Sequence, residues 1–231
     1  MSEEKLGGEK AILEERRKKL ENLREKGIAY TNSFRPNNTA NEIHQLHGEL
    51  SKEDLVKKNI KNISIAGRIV LKRVMGNASF ATLRDASGDI QIYVTKNNVD
   101  ENAYNDFKTW DLGDIVGVSG SLFRTNTDEL TIEVWDLEMI TKSLRPMPEK
   151  FKGLTDVEAR YRQRYLDLMT NNQTKEIFIK RTRIIDSARS KMNERGYLEV
   201  ETPMMHPLAG GAVARPFITQ HNALGLSLIH I

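Results

Sequence analysis

Residues Ser79–Thr95 read SFATLRDASGDIQIYVT, and this stretch decides the fold. Apolar and polar side chains alternate on both sides of the turn residues Ser87 and Gly88, a pattern that is typical of a β-hairpin with one buried face. If the aliphatic rows of the two strands share the core, the other side chains lie outside, because successive residues of a strand point to opposite faces. The alternation therefore predicts an exposed row of Phe80, Arg84, Gln91 and Tyr93.

The same kind of pattern extends on both sides of the hairpin. Strands are predicted at Ile63–Met75, Ser79–Asp85, Ile90–Thr95, Ile115–Phe123 and Leu130–Ile140. Between the third and fourth strands a helix is predicted over Asn102–Trp110, where Tyr104, Phe107 and Trp110 share one side. Three strands, a helix and two more strands are the element order of an OB-fold, a small barrel that binds single-stranded nucleic acids or oligosaccharides.

Helices are predicted before the barrel, in a segment that covers residues 1–60. Met1–Lys10 has almost nothing to bury and is expected to be a mobile tail. Ala11–Lys26 is predicted to be a helix with a thin leucine stripe that ends at Gly27, and a second polar helix is predicted over Ala40–Lys58. The barrel itself is assigned residues 61–142.

After the barrel, the sequence predicts a linker at 143–153 and the start of a second domain at 154–231. Thr155 and Glu158 have the spacing of a capping box that begins a helix. A longer helix is predicted over Thr174–Arg195 and a short strand over Tyr197–Glu201. One side of the first of these helices carries Val157, Tyr161, Tyr165 and Leu168. In the second helix the residues expected to face inward are Ile177, Ile184, Ile185, Ala188 and Met192.

The composition excludes several classes of protein and site. Among the 231 residues there is no cysteine, which excludes a disulfide framework, an iron–sulfur cluster, a thiolate zinc site and a cysteine nucleophile. No apolar run approaches the roughly 18 residues of a membrane span, so a soluble, unexported protein is expected. His44 and His47 have a ligand-like spacing without a third ligand nearby, so no metal site is expected.

The predicted outer face of the hairpin carries the chemistry of a nucleic-acid platform. Two aromatic rings, a basic group and an amide share it, and aromatic rings stack on unpaired bases while an amide reads a base edge. The 35 basic and 32 acidic residues are interspersed, so net charge alone does not favour RNA. The alternative is that the N-terminal helices cover Phe80 and that Tyr93 is a cross-strand packing partner. An oligosaccharide or a protein fits this face less well, because Arg84, Lys72 and Arg73 favour phosphate.

Four segments together resemble one family. They read RVMGNASF at Arg73–Phe80, YRQRYLDL at Tyr161–Leu168, GYLEVETPMM at Gly196–Met205 and GGAVARPF at Gly210–Phe217. In this order, behind a predicted OB-fold, they are similar to class II lysyl-tRNA synthetases of the bacterial type. The resemblance extends from about Glu9 to Leu224, and the last segment favours the lysyl over the related aspartyl and asparaginyl enzymes.

The resemblance implies an α+β protein with N-terminal helices, an OB-fold anticodon-binding domain and the start of an antiparallel-sheet catalytic domain. In the barrel, it implies that Phe80 stacks on an anticodon base of tRNA(Lys) and that Gln91 reads a base edge. Arg73 and Glu129 would support them from neighbouring loops. In the second domain, it implies that the helix up to Arg195 and the residues to Pro203 form motif 1.

The resemblance further implies that Pro203 lies at a homodimer interface and that Gly210 lies beside bound lysine. ATP and Mg²⁺ would serve the full-length cytoplasmic enzyme through motifs 2 and 3, which this chain does not contain. No catalytic residue is therefore expected in it, and the chain alone is expected to bind tRNA weakly without aminoacylating it. The alternative function is a non-catalytic OB-fold module that binds tRNA or another single-stranded nucleic acid.

Overall fold

A computed structural model describes residues 3–148, 154–201, 205–206, 217–219, 222–223 and 227–229. The chain divides into two compact units, Met1–Phe151 and Lys152–Ile231. The division falls within the segment 143–153 that the sequence predicts to be a linker. Among the described residues, no helix combines the length and the apolar character that crossing a lipid bilayer requires.

The first unit is built on a closed five-stranded barrel with helices before and within it. Its helices are α1 (Glu3–Glu25), α2 (Ala40–His47), α3 (Lys52–Lys58) and α4 (Glu101–Thr109). Its strands are β1 (Ile63–Met75), β2 (Ala78–Arg84), β3 (Asp89–Thr95), β4 (Ile115–Arg124) and β5 (Leu130–Thr141). The strands follow the order β1-β2-β3-β5-β4, and only the β3–β5 pair of this barrel is parallel. This element order confirms the predicted OB-fold, with each strand boundary within one residue of its prediction.

The barrel interior is filled by the aliphatic rows that the alternation predicts. Buried residues alternate with more exposed ones along β2 and β3, and the buried apolar ones are Ala81, Leu83, Ile90, Ile92 and Val94. Helix α4 closes the core with Tyr104 and Phe107, which are almost completely buried. The Tyr104 hydroxyl donates to the Gly76 carbonyl oxygen at 2.9 Å, so its one polar atom is satisfied within the apolar interior.

Helix α1 is longer than the sequence predicts, because it begins at Glu3 and includes the described part of the segment that was expected to form a mobile tail. Those residues are mainly Glu, Lys and Leu, which are good helix formers, and the two glycines at 7 and 8 lower that preference without ending the helix. The helix is anchored on the barrel unit by Arg16, which donates to the carbonyl oxygens of Ser143 at 3.2 Å and Arg145 at 3.0 Å. Lys19 adds a bond of 3.0 Å to Asp111.

The predicted single helix over residues 40–58 is wrong, since it consists of the two helices α2 and α3. Thr39 and Glu42 form a capping box that begins α2, and Gly48 follows its last residue. Ser51 then accepts a hydrogen bond from the backbone N–H of Asp54 and begins α3. A new N-cap three residues after Gly48 separates the two helices, because N-cap residues adopt a non-helical backbone.

A buried group of charges lies where β5 ends. Lys142 donates to Asp114 at 2.7 Å and to Asp111 at 2.6 Å, and the Lys142 and Asp114 side chains are almost completely buried. Burial by itself raises the pKa of Asp111, but the hydrogen bonds from Lys142 and Lys19 lower it below its ordinary value. The Ser143 backbone N–H also donates to Asp114 at 2.8 Å, so this group fixes the first residue after the barrel.

The second unit consists of three helices and a small antiparallel sheet in its described residues. The helices are α5 (Val157–Arg162), α6 (Arg164–Thr170) and α7 (Asn172–Glu194). The strands are β6 (Met205–His206), β7 (Phe217–Thr219) and β8 (Ser227–Ile229). They pair in the order β6-β8-β7. Asp156 caps α5 by accepting from two backbone N–H groups, whereas the sequence predicted Thr155 in this role. The prediction of a strand over Tyr197–Glu201 is wrong, because no described strand pairs with this segment.

The apolar stripe of α7 is exposed, which corrects the expectation that it faces a core. Ile184 is 69% exposed and Ile177 is 58% exposed, and Thr174 is the one buried residue of this helix in the structure as described. A buried carboxylate instead joins the three helices. Asp167 accepts from Arg160 at 2.9 Å and pairs with Arg164, and its side chain is 1% exposed.

Candidate nucleic-acid interface

The outer face of β2 and β3 continues across β5 and β4 as a curved surface. Phe80, Gln91 and Tyr93 are half-buried on it, as the alternation predicts. The strand register extends each row across the barrel. One row is Thr82–Gln91–Thr131–Phe123, and the next is Phe80–Tyr93–Glu133–Ser121. We call these eight residues and the adjoining Arg73 and Glu129 the platform.

Three aromatic rings form a continuous series on the platform. The ring centroids of Phe80 and Tyr93 are 4.7 Å apart, and those of Tyr93 and Phe123 are 5.7 Å apart. The sequence analysis missed Phe123, although its position directly after the buried Leu122 places it on the outer face. Because each ring packs against the next, Tyr93 limits the motion of Phe80 while one side of the series remains open to solvent.

This packing combines the two interpretations that the sequence left open. Tyr93 is the cross-strand partner of Phe80, as the packing alternative proposed. The N-terminal segment, however, bonds to other parts of the barrel unit: the Ala40 N–H donates to Asp85 at 2.7 Å, and His44 lies 3.0 Å from the Asp89 carbonyl oxygen. Phe80 therefore stays half-exposed beside its partner ring instead of being covered by the helices.

Gln91 is held at the centre of the platform by a neighbour from a distant part of the sequence. The Thr131 hydroxyl donates to Gln91 Oε1 at 2.9 Å and lies 3.1 Å from the Glu129 carbonyl oxygen. Thr131 is completely buried, although its register places it on the outer face. The sequence analysis did not identify Thr131, because the parallel β3–β5 pairing that brings it to Gln91 leaves no local pattern.

Two of the three basic groups that were expected to favour phosphate have other partners. Arg84 donates two hydrogen bonds of 2.6 Å to Asp89, and this pairing raises its pKa. Lys72 donates to the carbonyl oxygens of Phe107, Lys108 and Trp110 at the end of α4, and burial lowers its pKa. Asp89 compensates the charge of Arg84, and the carbonyl oxygens at the end of α4 already engage the Lys72 ammonium, so the phosphate contacts expected of Arg84 and Lys72 stay predictions that compete with these bonds.

Arg73 remains exposed and pairs in register with Phe80 from the neighbouring strand β1. Its guanidinium makes no hydrogen bond or ion pair with any residue that the structure describes. A free guanidinium beside a stacking ring is the arrangement that suits a phosphate next to a stacked base.

Acidic residues border the platform on the β5 side. Glu129 is exposed in the loop before β5, where its N–H donates to Thr125 Oγ1 at 3.1 Å. Glu133 accepts a hydrogen bond of 2.8 Å from the Asn98 side chain. Carboxylates repel phosphate but accept hydrogen bonds from base N–H groups, so this border favours base edges over backbone.

The remaining site predictions fall outside the described residues or lack ligands within them. Pro203 and Gly210 both lie outside the described residues. No group of three or more His, Asp or Glu side chains that could hold a metal ion occurs in the part of the chain that the structure describes. The described geometry is therefore that of a binding surface, with stacking rings, one held amide and one free guanidinium.

Two family models match the chain. The model described as OB-fold nucleic acid binding domain matches residues 63–140, and the model described as tRNA synthetases class II (D, K and N) matches residues 156–229. The chain is 52% identical over 220 residues to the lysine–tRNA ligase of Chromobacterium violaceum and 51% identical over 220 residues to that of Azoarcus sp.. It is 52% identical over 215 residues to that of Idiomarina loihiensis. These matches cover 93–95% of this chain but 42–44% of the relatives, so the chain spans less than half of their length.

Proposed function

Since the chain belongs to the family of class II lysine–tRNA ligases, we propose that its barrel unit binds the anticodon of tRNA(Lys) for such a ligase. The observation that carries the proposal is the open aromatic series beside a held amide on the outer face of an OB-fold barrel. The RNA is proposed to be tRNA(Lys) because the relatives that are 51–52% identical over 95% of this chain are named lysine–tRNA ligases. The cytoplasm, where tRNA is charged in bacteria, is the proposed location.

Each platform residue has a proposed task. Phe80 stacks on an anticodon base while Tyr93 and Phe123 keep its ring in place, and base–aromatic stacking contributes about 1–3 kcal/mol per base. Gln91 reads a base edge with its amide. Arg73 neutralises a phosphate close to the stacked base, and Glu129 accepts from a base N–H group at the loop end of the platform.

The complete enzyme is proposed to join lysine to tRNA(Lys) in two steps. The lysine carboxylate attacks the α-phosphorus of ATP, which forms the adenylate and releases pyrophosphate, and a ribose hydroxyl of the terminal adenosine then takes the lysyl group and releases AMP. ATP and Mg²⁺ would supply the leaving group and charge neutralisation. The described residues form no metal-binding cluster, so no step is assigned to them. Pro203 at a homodimer interface and Gly210 beside lysine remain proposals from the family.

The alternative of an OB-fold module without a synthetase part has less support, because residues 156–229 match the class II synthetase model. The two functions share the barrel and differ in the specificity of binding. A general single-strand binder accepts any unpaired loop, since every base has a face that can stack. An anticodon-binding domain distinguishes the lysine anticodon loop from a loop of scrambled sequence.

The test is a titration of the purified chain with a fluorescently labelled RNA hairpin that carries the lysine anticodon loop. Phe80→Ala is expected to raise the dissociation constant about 5- to 150-fold, since it removes one base–aromatic stack. Tyr30→Ala is the matched control, because Tyr30 is an exposed ring of the same unit outside the platform. Equal affinity of the Phe80→Ala variant and the wild type, or of the lysine and scrambled loops, would contradict the proposal.

Arg73 gives a second test of the same surface. Removing a lysine or arginine that contacts a phosphate lowers the slope of log K against log salt by about one. Arg73→Ala is therefore expected to lower this slope, whereas Arg84→Ala is expected to leave it nearly unchanged because Asp89 already compensates Arg84. Titrations of both variants at several salt concentrations measure the difference, and equal slopes would exclude Arg73 as a phosphate contact.

A further inference from the structure

We infer that Thr131 is a positioning residue for anticodon binding, which fixes the Gln91 amide so that its N–H groups face the RNA. The inference deepens the proposed function and rests on it. It begins from an unusual burial: Thr131 shares the outer face with Gln91 through the β3–β5 register, yet it is 0% exposed. A buried hydroxyl is costly unless it is hydrogen-bonded, so the contacts of this hydroxyl decide what it does.

The Thr131 hydroxyl has one proton and two oxygen neighbours. Gln91 Oε1 lies at 2.9 Å, and the Glu129 carbonyl oxygen lies at 3.1 Å. The Glu129 carbonyl already accepts a hydrogen bond of 3.0 Å from the Thr125 backbone N–H. Gln91 Oε1 is the nearer acceptor and accepts no other hydrogen bond from the described residues, so the proton is assigned to Gln91.

This bond determines which end of the amide is presented. When Gln91 Oε1 accepts from Thr131, the amide nitrogen and its two N–H donors point away from β5 and towards the open side of the platform. The amide then offers donors, which complement an acceptor atom such as a keto oxygen on a base edge. Without the hydroxyl, the amide can rotate by about 180° about its last side-chain bond and offer an acceptor instead.

The anchor is rigid because Thr131 is buried on a strand that is paired on both sides. Its strand neighbours Leu130 and Ile132 are buried, and the register pairs Thr131 with Gln91 on one side and with Phe123 on the other. The Gln91 amide is therefore bound to a hydroxyl oxygen that moves only if the barrel strands move. A fixed amide loses less conformational freedom on binding than a mobile one.

The experiment is a double-mutant cycle on RNA affinity with the hairpin carrying the lysine anticodon loop. Thr131→Val removes the hydroxyl at nearly constant volume, and it is expected to raise the dissociation constant about 2- to 12-fold, the equivalent of one hydrogen bond. In a Gln91→Ala background the same change is expected to have almost no further effect, because no amide remains to be positioned. Thr131→Ser keeps a hydroxyl and is expected to restore most of the affinity.

Thr141→Val is the matched control. Thr141 lies at the other end of the same strand β5, where it pairs with Ile115 outside the platform, so its substitution is expected to leave the affinity unchanged. Wild-type affinity of Thr131→Val would overturn the inference. If the fold-changes in the dissociation constant caused by Thr131→Val and Gln91→Ala multiply in the double variant, the inference is also overturned. Independent effects of this kind indicate a structural role for Thr131.

A measurement without RNA separates this inference from the proposed function. In the free chain, nuclear magnetic relaxation of the Gln91 side-chain amide is expected to show restricted motion that Thr131→Val releases and Thr131→Ser retains. An unchanged amide in Thr131→Val would overturn the positioning role even if RNA binding is intact. If Phe80→Ala and the scrambled loop leave RNA affinity unchanged, the anticodon proposal fails, and the relaxation result still decides whether Thr131 holds Gln91.

Discussion

The barrel unit and the helix α7 carry equally clear apolar patterns, but they bury them to very different extents. Phe107 in α4 is 0% exposed, whereas Ile184 in α7 is 69% exposed. The barrel strands close on one another, so each apolar row covers the next. Among the described residues, the stripe of α7 has no such cover. A periodic pattern therefore predicts which residues share a face, and only the elements packed opposite decide whether that face is buried.

The largest expected difference between the two regions comes from the same substitution made in each. Phe107→Ala leaves a cavity in the barrel core and is expected to cost about 3–5 kcal/mol of unfolding free energy. Phe178→Ala in α7 is expected to cost about 1 kcal/mol or less, because Phe178 is 38% exposed. Urea unfolding followed by tryptophan fluorescence reports on the barrel unit, which contains both tryptophans, Trp110 and Trp135.

Peptide-resolved hydrogen exchange reports on α7 in the same samples of the chain. Protection of α7 peptides is expected to change little in Phe178→Ala and not at all in Phe107→Ala at concentrations of urea that leave both units folded. Similar losses for the two substitutions would show that α7 buries Phe178 in solution and would contradict the comparison.

Substitutions at two glycines, one in each unit, test the same comparison and are expected to cause losses of stability of intermediate size. A Cβ at Gly120 in the barrel would lie 2.3 Å from the Glu133 carbonyl oxygen, whereas a Cβ at Gly196 would meet nothing within 4 Å. Gly120→Ala is expected to cost about 1–3 kcal/mol through overpacking. Gly196→Ala is expected to cost about 1 kcal/mol, because its φ of +83° is unfavourable for a side chain. Thermal unfolding of the two variants measures both costs, and a larger loss at Gly196 would contradict the open space around it.

The smallest effect at neutral pH is expected from Asp167, the buried carboxylate of the helical unit. Burial by itself raises its pKa, but hydrogen bonds and ion pairs with Arg160, Thr174 and Arg164 lower the pKa below its ordinary value. The stabilisation is complete above the unfolded pKa of about 3.9 and is lost as the pH falls through the lower folded value. Far-UV circular dichroism is therefore expected to show loss of helix only in strong acid.

Asp167→Asn isolates this contribution. The variant is expected to be less stable than the wild type at neutral pH and to show a flatter profile in acid, because the group that titrates is gone. Glu199→Gln is the control: Glu199 pairs with Arg189 at 2.7 Å on the surface, where solvent screens the interaction, so its acid profile is expected to match the wild type. An unchanged profile in Asp167→Asn would show that other carboxylates govern the acid response.

The sequence predicted the barrel well because its information is local. The alternation of apolar and polar residues predicted every boundary of the five barrel strands to within one residue. It also placed Phe80 and Gln91 on the outer face. The boundaries of the helices were harder, since charged residues before Ala11 continue α1 and the N-cap at Ser51 was not recognised. The exposure of the α7 stripe could not be predicted at all, because burial depends on neighbours that a periodic pattern does not name.

Within the candidate site, residue types could be predicted from the sequence, but their partners could not. Arg84 and Lys72 carry the charge that a phosphate needs, yet Asp89 and the end of α4 already engage them. Thr131 carries no pattern of its own, because it meets Gln91 only after the chain has closed a barrel. Side chains that act through long-range pairing are therefore visible only in the folded structure.

The bonds from Arg16 to the carbonyl oxygens of Ser143 and Arg145 join positions 127 and 129 residues apart. A ribosome completes α1 before it makes either acceptor, so these two bonds can form only after β5 has been synthesised. Until then Leu23, which packs against the hydrophobic core of the folded unit, has no barrel to contact, and contacts of such sequence separation form slowly. During translation, α1 is therefore fastened to this unit after the strands of the barrel.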